Sequence, residues 1–364
     1  MRDKPPFRAD HVGSLLRPQY LLQARQTGQG REEAEDRAIR DVVRMQREVG
    51  LRSATDGEFR RASWHMDFIY QLGGVSKADG EITVQFRNEA GKLEFTAAAL
   101  QISDRVRLNE PIFAGAFTFL NSIVDEGVTA KLTIPSPSMV HYRGGRAAIS
   151  PDVYPDEEAF WADLSAAYSD QIAAMAGLGC KYLQLDDTSL AYLNDPAQRE
   201  LLASRGDDAE HQHLRYIKQI NAALAGRPSG MAVTTHMCRG NFRSSWAAEG
   251  GYDFVAEAVF SSLDVDGFFL EYDDERSGGF APLRFVPPGK MVVLGLVTTK
   301  RGALESKDDL KRRIDEAAKH IPLEQLCLSP QCGFSSTVEG NVLTYEEQVA
   351  KLRLIVETAT DVWA

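Results

Sequence analysis

The strongest constraint on the fold is an alternation of short, strand-like runs with longer amphipathic helical patterns. The strand candidates are RADHVGS, LRSATDGEF, AKLTIPSP, KYLQLDD, MAVTTHMC, DGFFLEYD, KMVVLGLVTT and QLCLSPQCG, eight in all. Between or after them lie helical patterns such as EEAEDRAIRDVVRMQREVG, DEEAFWADLSAAYSDQIAAMAGLG, KDDLKRRIDEAAKHI and TYEEQVAKLRLIVETATDVW. Strands that alternate with helices imply a parallel sheet. Eight such units predict an α/β (β/α)8 TIM barrel. A doubly wound sheet is the rival, but no GxGxxG follows a strand here. Residues 75–110 break the rhythm: GEITVQFRNEAGKLEFTAAAL alternates around Gly91. This predicts a β-hairpin inserted after strand two, as a lid, an oligomer contact or a decoration. The chain is expected to form one domain over 1–364.

Charge and composition narrow the function. The formal charge of −11 argues against a nucleic-acid partner. No apolar run reaches transmembrane length, and MRDKPPFRAD lacks the apolar stretch of a signal peptide, so a cytoplasmic protein is expected. Four cysteines, Cys180, Cys238, Cys327 and Cys332, are too sparse for a disulfide scaffold and include no CxxC pair. Any metal site must therefore be assembled from distant segments. Whether the protein forms a homo-oligomer is left open.

In a barrel the chemistry sits where strands end. The predicted ends carry Ser14, Asp56-Gly57-Glu58, Asp186-Asp187, His236 with Cys238, Glu271 and Cys332. His236 and Cys238 are two apart, and on an extended segment they point the same way. With Cys332 and a carboxylate they make a borderline-soft tetrahedral set suited to Zn2+. Spacing alone does not choose Glu271 over Asp273, Asp274 or Glu275. The bland alternative is a buried thiol beside an incidental histidine. Two thiolates and a carboxylate leave a zinc ion poor at acidifying water but good at holding an incoming thiolate.

Glu58 and Asp186 are candidates to hold a substrate ammonium, and Ser14 a carboxylate. The alternative for one of Asp186 and Asp187 is a helix cap. Cys180 and Cys327 are expected in the core, His211 and His213 at a solvated helix start, and His320 at a helix end. His11 and His141 are left open, with His141 a candidate proton donor.

HVGS, TDGEFRR, LQLDD, THMCRGN, FFLEYD and SPQCGFSS occur in this order. Together they resemble the C-terminal catalytic barrel of cobalamin-independent methionine synthase, over nearly the whole chain. The resemblance implies zinc ligands at His236, Cys238, Glu271 and Cys332, and so selects Glu271. It implies homocysteine-binding residues at Ser14, Glu58 and Asp186. It also implies methyl transfer to the homocysteine thiol from 5-methyltetrahydrofolate. Two departures bear on the donor. The full-length family has a second, N-terminal barrel that this chain is expected to lack, and its pterin-contacting tryptophan near strand three is replaced within TIPSPSMVHYRGG. A methylcorrinoid protein is therefore an alternative donor. Other readings are a zinc-dependent thiol alkyltransferase of the coenzyme M–epoxide lyase type, a zinc hydrolase and a non-catalytic zinc protein.

Overall fold

In the computed structural model, residues 2–88 and 91–364 are described. The chain order of strands is β1 (Ser53–Ala54), β2 (Gly73–Asn88), β3 (Gly91–Arg107), β4 (Thr129–Pro135), β5 (Tyr182–Asp187), β6 (Ala232–Met237), β7 (Gly267–Glu271), β8 (Met291–Val297) and β9 (Leu326–Pro330). All but β2 and β3 join one parallel sheet in the order β1-β4-β5-β6-β7-β8-β9.

The strands are almost wholly buried because both faces are covered, and β7 and β8 are near-continuous apolar runs. Every residue of MVVLGLV in β8 is buried. Phe269, Met291, Val293 and Cys327 pack with Val12 in a small inner cluster. The alternate residues Phe268, Leu270, Val292, Leu294 and Leu328 join the larger core. This alternation is the period of an extended chain, and it curls the sheet around an inner layer. The intervening helices start on side-chain caps: Asp156 accepts from the Glu158 amide, Ser306 from that of Asp309, and Thr344 shares a capping box with Glu347.

The sheet has seven strands where eight were expected. Ala9 in RADHVGS makes only a single parallel bridge with Leu328. Side chains take the bonds a ladder would use. Asp10 accepts from the Phe7 and His11 amides, at 3.1 and 2.8 Å. Lys131 Nζ donates to the His11 carbonyl, Gln184 Nε2 to that of Val12 and Thr55 Oγ1 to that of Gly13. Backbone satisfied in this way has no need of strand partners. LRSATDGEF is likewise mostly loop, with only Ser53 and Ala54 in β1.

The segment expected as an inserted hairpin contains β2 and β3, which pair antiparallel from Gly73↔Arg107 to Asn88↔Gly91. The expected turn falls partly on residues 89–90, which lie outside the described residues. Farther along, Arg87 pairs with Trp246 through two backbone bonds of 2.7 and 2.9 Å. The hairpin is thus fastened to the loop after β6. Among the described residues no helix is long and apolar enough to cross a membrane.

Candidate metal centre and the cavity around it

Register sets the rim. Asp186 of β5 lies beside His236 of β6, and His236 beside Phe269 of β7, two residues before Glu271. The Cys238 amide donates to the Asp187 carbonyl at 2.7 Å, so extended pairing continues past the end of β6. His236 and Cys238 therefore share a direction. Glu271 closes β7, and Cys332 follows β9 by two residues.

His236, Cys238, Glu271 and Cys332 converge. Their ligand atoms all lie within 4.8 Å of one another, and they are the one group among the described residues that can hold a metal ion. Cys238 Sγ and Cys332 Sγ are 3.5 Å apart, and His236 Nε2 is 4.0 Å from Glu271 Oε1. All four are buried. A tetrahedron with zinc–sulfur bonds of about 2.3 Å has sulfur–sulfur edges of about 3.7 Å, close to the separation here. Both ring nitrogens of His236 are buried without a hydrogen-bond partner. Orphaned imidazole nitrogens beside two thiols and a carboxylate fit a borderline-soft cation.

The surroundings orient these groups. The Arg239 amide donates to Glu271 Oε1 at 3.0 Å, and Tyr252 Oη meets the Glu271 amide at 2.8 Å. The Gly240 amide donates to Cys238 Sγ at 3.3 Å. Gly240 has φ +87, and a Cβ there would stand 2.6 Å from Tyr192 Oη and 2.9 Å from Ala247 Cβ. Only glycine fits.

Proton affinities reflect the crowding. The hydrogen bond from Cys238, working against burial and helped by His236, holds Cys332 well below the ordinary thiol range. Cys238 is pushed up by its bond to Cys332 and by burial. The pair thus shares one proton, held on Cys238. Burial opposes charge on His236, but the nearby Cys332 thiol, with the charges of Asp186 and Glu271, outweighs it and raises the ring to about 9. Burial, then Cys332, raises Glu271 to about 7.

A cavity of about 180 Å3 opens beside this group and is lined by His236, Cys238 and Cys332 together with Ser14, Glu58 and Asp186. Glu58 sits at φ +61, a strained backbone for a non-glycine residue. Its Oε1 accepts from Thr133 Oγ1 at 2.7 Å and from Arg61 Nη1 at 3.4 Å. Burial raises its carboxyl, against Arg61. Asp186 accepts from Gln184 Nε2 at 2.6 Å and is raised to about 7, chiefly by burial. Asp187 does the other job: it accepts from the Leu190 amide at 2.8 Å and from the Ser138 and Ser189 hydroxyls.

His141 is not brought to the cavity. Its Nδ1 meets Tyr216 Oη at 3.0 Å, its Nε2 lies 3.3 Å from Glu157, and its ring packs on Trp161. These partners tie it to the helices Glu157–Gly177 and Gln212–Leu224. His11 is buried with both ring nitrogens unpartnered. His213 is buried rather than solvated, edge-on to Phe254, while His211 is exposed and binds Asp208. Cys180 and Cys327 are core thiols, both pushed up to about 12 by burial. Sequence reasoning missed Trp64, His65, Arg143, Tyr192 and Asn241, which also line the cavity, and Val84 and Phe86, which the hairpin contributes. The adjacent rings of WHMDF were the one available signal.

A curled parallel sheet with a His/Cys/Glu/Cys group and a cavity at the carboxyl ends of its strands defines an enzyme of the α/β class. Residues 16–361 match the family described as cobalamin-independent synthase, catalytic domain. The chain belongs to that family and is a methyltransferase. It is 47% identical to the uncharacterized protein YxjG of Bacillus subtilis, over 100% of this chain and 96% of that one. It is 25% identical to a methionine synthase of Pyrococcus abyssi, over 88% of this chain and 84% of that one. A solved structure named as a vitamin-B12-independent methionine synthase of Listeria monocytogenes superposes with a TM-score of 0.78 at 37% identity, covering 99% of each chain.

Proposed function

We propose that the protein is a cytoplasmic, zinc-dependent methyltransferase that makes methionine from homocysteine, with 5-methyltetrahydrofolate or a methylcorrinoid protein as donor. The chain is read as one catalytic unit, a (β/α)8 barrel whose first strand is reduced to the Ala9 bridge. The observation that carries the proposal is the shared cavity: a His/Cys/Glu/Cys group opens onto the same space as Ser14, Glu58 and Asp186.

His236, Cys238, Glu271 and Cys332 would hold the zinc. A zinc ion bound there supplies Lewis acidity that lowers the pKa of an incoming thiol. Glu58 and Asp186 bind the substrate ammonium, whose positive charge favours the ionised form of both buried carboxyls. Ser14 meets the substrate carboxylate. The acceptor sulfur then forms its bond to the methyl carbon as the bond from carbon to donor breaks. Two carboxylates in the cavity favour an amine-bearing thiol over a sulfonate thiol such as coenzyme M. His141 is held by Tyr216 and Glu157, so we assign it a supporting role and leave donor protonation to a group in the cavity.

The test is to incubate zinc-loaded enzyme with homocysteine and, in turn, methyltetrahydrofolate, methylcobalamin and S-methylmethionine. Methionine from at least one donor is expected. No methionine from any of them, or full activity in metal-free Cys332→Ala protein, would remove the proposal.

A further inference from the structure

Trp64, His65 and Arg143 line the cavity but have no part in the reading above. The Met66 amide donates to Ser63 Oγ at 3.2 Å, which frees the Ser63 hydroxyl hydrogen for His65 Nδ1, also 3.2 Å away. A Ser63 hydroxyl that donates to Nδ1 leaves the ring proton on Nε2. His65 is 5% exposed, and its Nε2 is buried with no partner. Trp64 lies against the ring, 4.4 Å between centroids, and fixes its plane. Burial and then the charge of Arg143 hold His65 well below the ordinary imidazole range, so it is neutral near pH 7.

Arg143 is unusual in a different way. Among the described residues its guanidinium makes no ion pair, and its Nε is buried without a partner. The carboxylates that share the cavity do not neutralise it. Glu58 is engaged by Thr133 and Arg61, Asp186 by Gln184, and Glu339 is exposed. Two side chains that each carry an unpartnered nitrogen, a neutral imidazole and a cation without an ion pair, therefore line one cavity. Such donors suit an oxyanion, and leaving them unmet costs stability.

We propose that His65 and Arg143 bind an oxyanion, carboxylate or phosphate, carried by the second substrate, the one that gives up its methyl. Trp64 and Phe86 cover that substrate's apolar part. This assignment rests on the thiol-methylating reading of the cavity and adds the chemistry by which the donor is recognised.

The experiment titrates the full-length, metal-loaded protein with acetate and, separately, with inorganic phosphate, followed by calorimetry. Binding of at least one is expected, and the preferred one names the oxyanion. Arg143→Met and His65→Phe should each weaken it about 10-fold or more, with metal content unchanged and thermal melting not lowered. Arg143→Lys, which keeps the charge but loses the fork, should fall between. In turnover, both variants should raise the donor KM and leave the homocysteine KM alone. No binding by the wild type, equal binding by the variants, or a rise in homocysteine KM instead would overturn the assignment. If anion binding depends on Arg143 but no donor yields methionine, the function reading fails and the oxyanion receptor stands.

Discussion

Cys238 Sγ and Cys332 Sγ lie 3.5 Å apart, although one follows β6 and the other follows β9. Between them in the sheet run β7 and β8. The contact therefore depends on the curl of the sheet, which brings strands that are not neighbours to one point on the rim. Glu271, at the end of the intervening β7, completes the group.

Cys332→Ala and Cys238→Ala are expected to lower zinc affinity by more than about 100-fold, since each removes a direct ligand where loss of a mere supporting bond costs 10–100-fold. Metal content after dialysis checks this. Retention of stoichiometric zinc by Cys332→Ala would mean that the four side chains do not act as a set.

The two adjacent aspartates should behave differently. Asp186→Asn is expected to raise the KM for homocysteine about 10-fold or more, by removing a charge-assisted bond, with little change in melting temperature. Asp187→Ala should lower stability by about 1–3 kcal/mol, because it abandons buried donors. Kinetics and denaturant titration of both proteins separate the two roles. Equal effects on binding and stability from both would refute the division.

Gly240→Ala forces a Cβ against Tyr192 Oη and Ala247 at a positive φ. A loss of about 1–3 kcal/mol is expected from backbone strain, with weaker metal binding because the amide that donates to Cys238 moves. A variant with unaltered melting and zinc content would show that the loop after β6 is more yielding than this geometry implies.

The stability that His11 contributes should fall as the solution is acidified below about pH 6.5. Burial, aided by Lys131, lowers His11 to about 4. Its unfolded form gains a proton as the pH drops through about 6.5, whereas the folded form resists until about 4. The unfolded state therefore binds more protons across this window, and stability is lost as pH falls. The loss attributable to His11 is up to about 3 kcal/mol. Denaturant midpoints for the wild type and His11→Phe between pH 7 and 4 test it. An identical slope in both would assign the effect to other groups.

What was legible in the sequence follows from physical periodicity. β4 to β9 are buried on both faces and form short runs between helical patterns, so they stand out, and their ends could be located well enough to pick out His236, Cys238 and Cys332. Glu271 could not be chosen from its acidic neighbours by spacing; only the family resemblance singled it out, and its convergence with the other three depends on sheet curvature. RADHVGS reads as a strand in the βα rhythm, but Asp10, Lys131, Gln184 and Thr55 satisfy its backbone from elsewhere, and that requires knowing the fold. His65 and Arg143 had no periodic signature, since each lies in a short irregular segment and they meet only across the cavity. The placement of His141 was likewise hidden, because its partners Glu157 and Tyr216 come from two later helices.

The pairing of Arg87 with Trp246 carries a wider implication. The hairpin that supplies Val84 and Phe86 to the cavity is built outside the parallel sheet and packs on the core through Leu100, Ile102 and Val106. The side chains it offers to the cavity, Val84 and Phe86, stand on strands other than those that carry the metal-binding group. A substitution at Val84 or Phe86 would thereby redraw the mouth of the pocket while the four side chains of the metal-binding group stay in place.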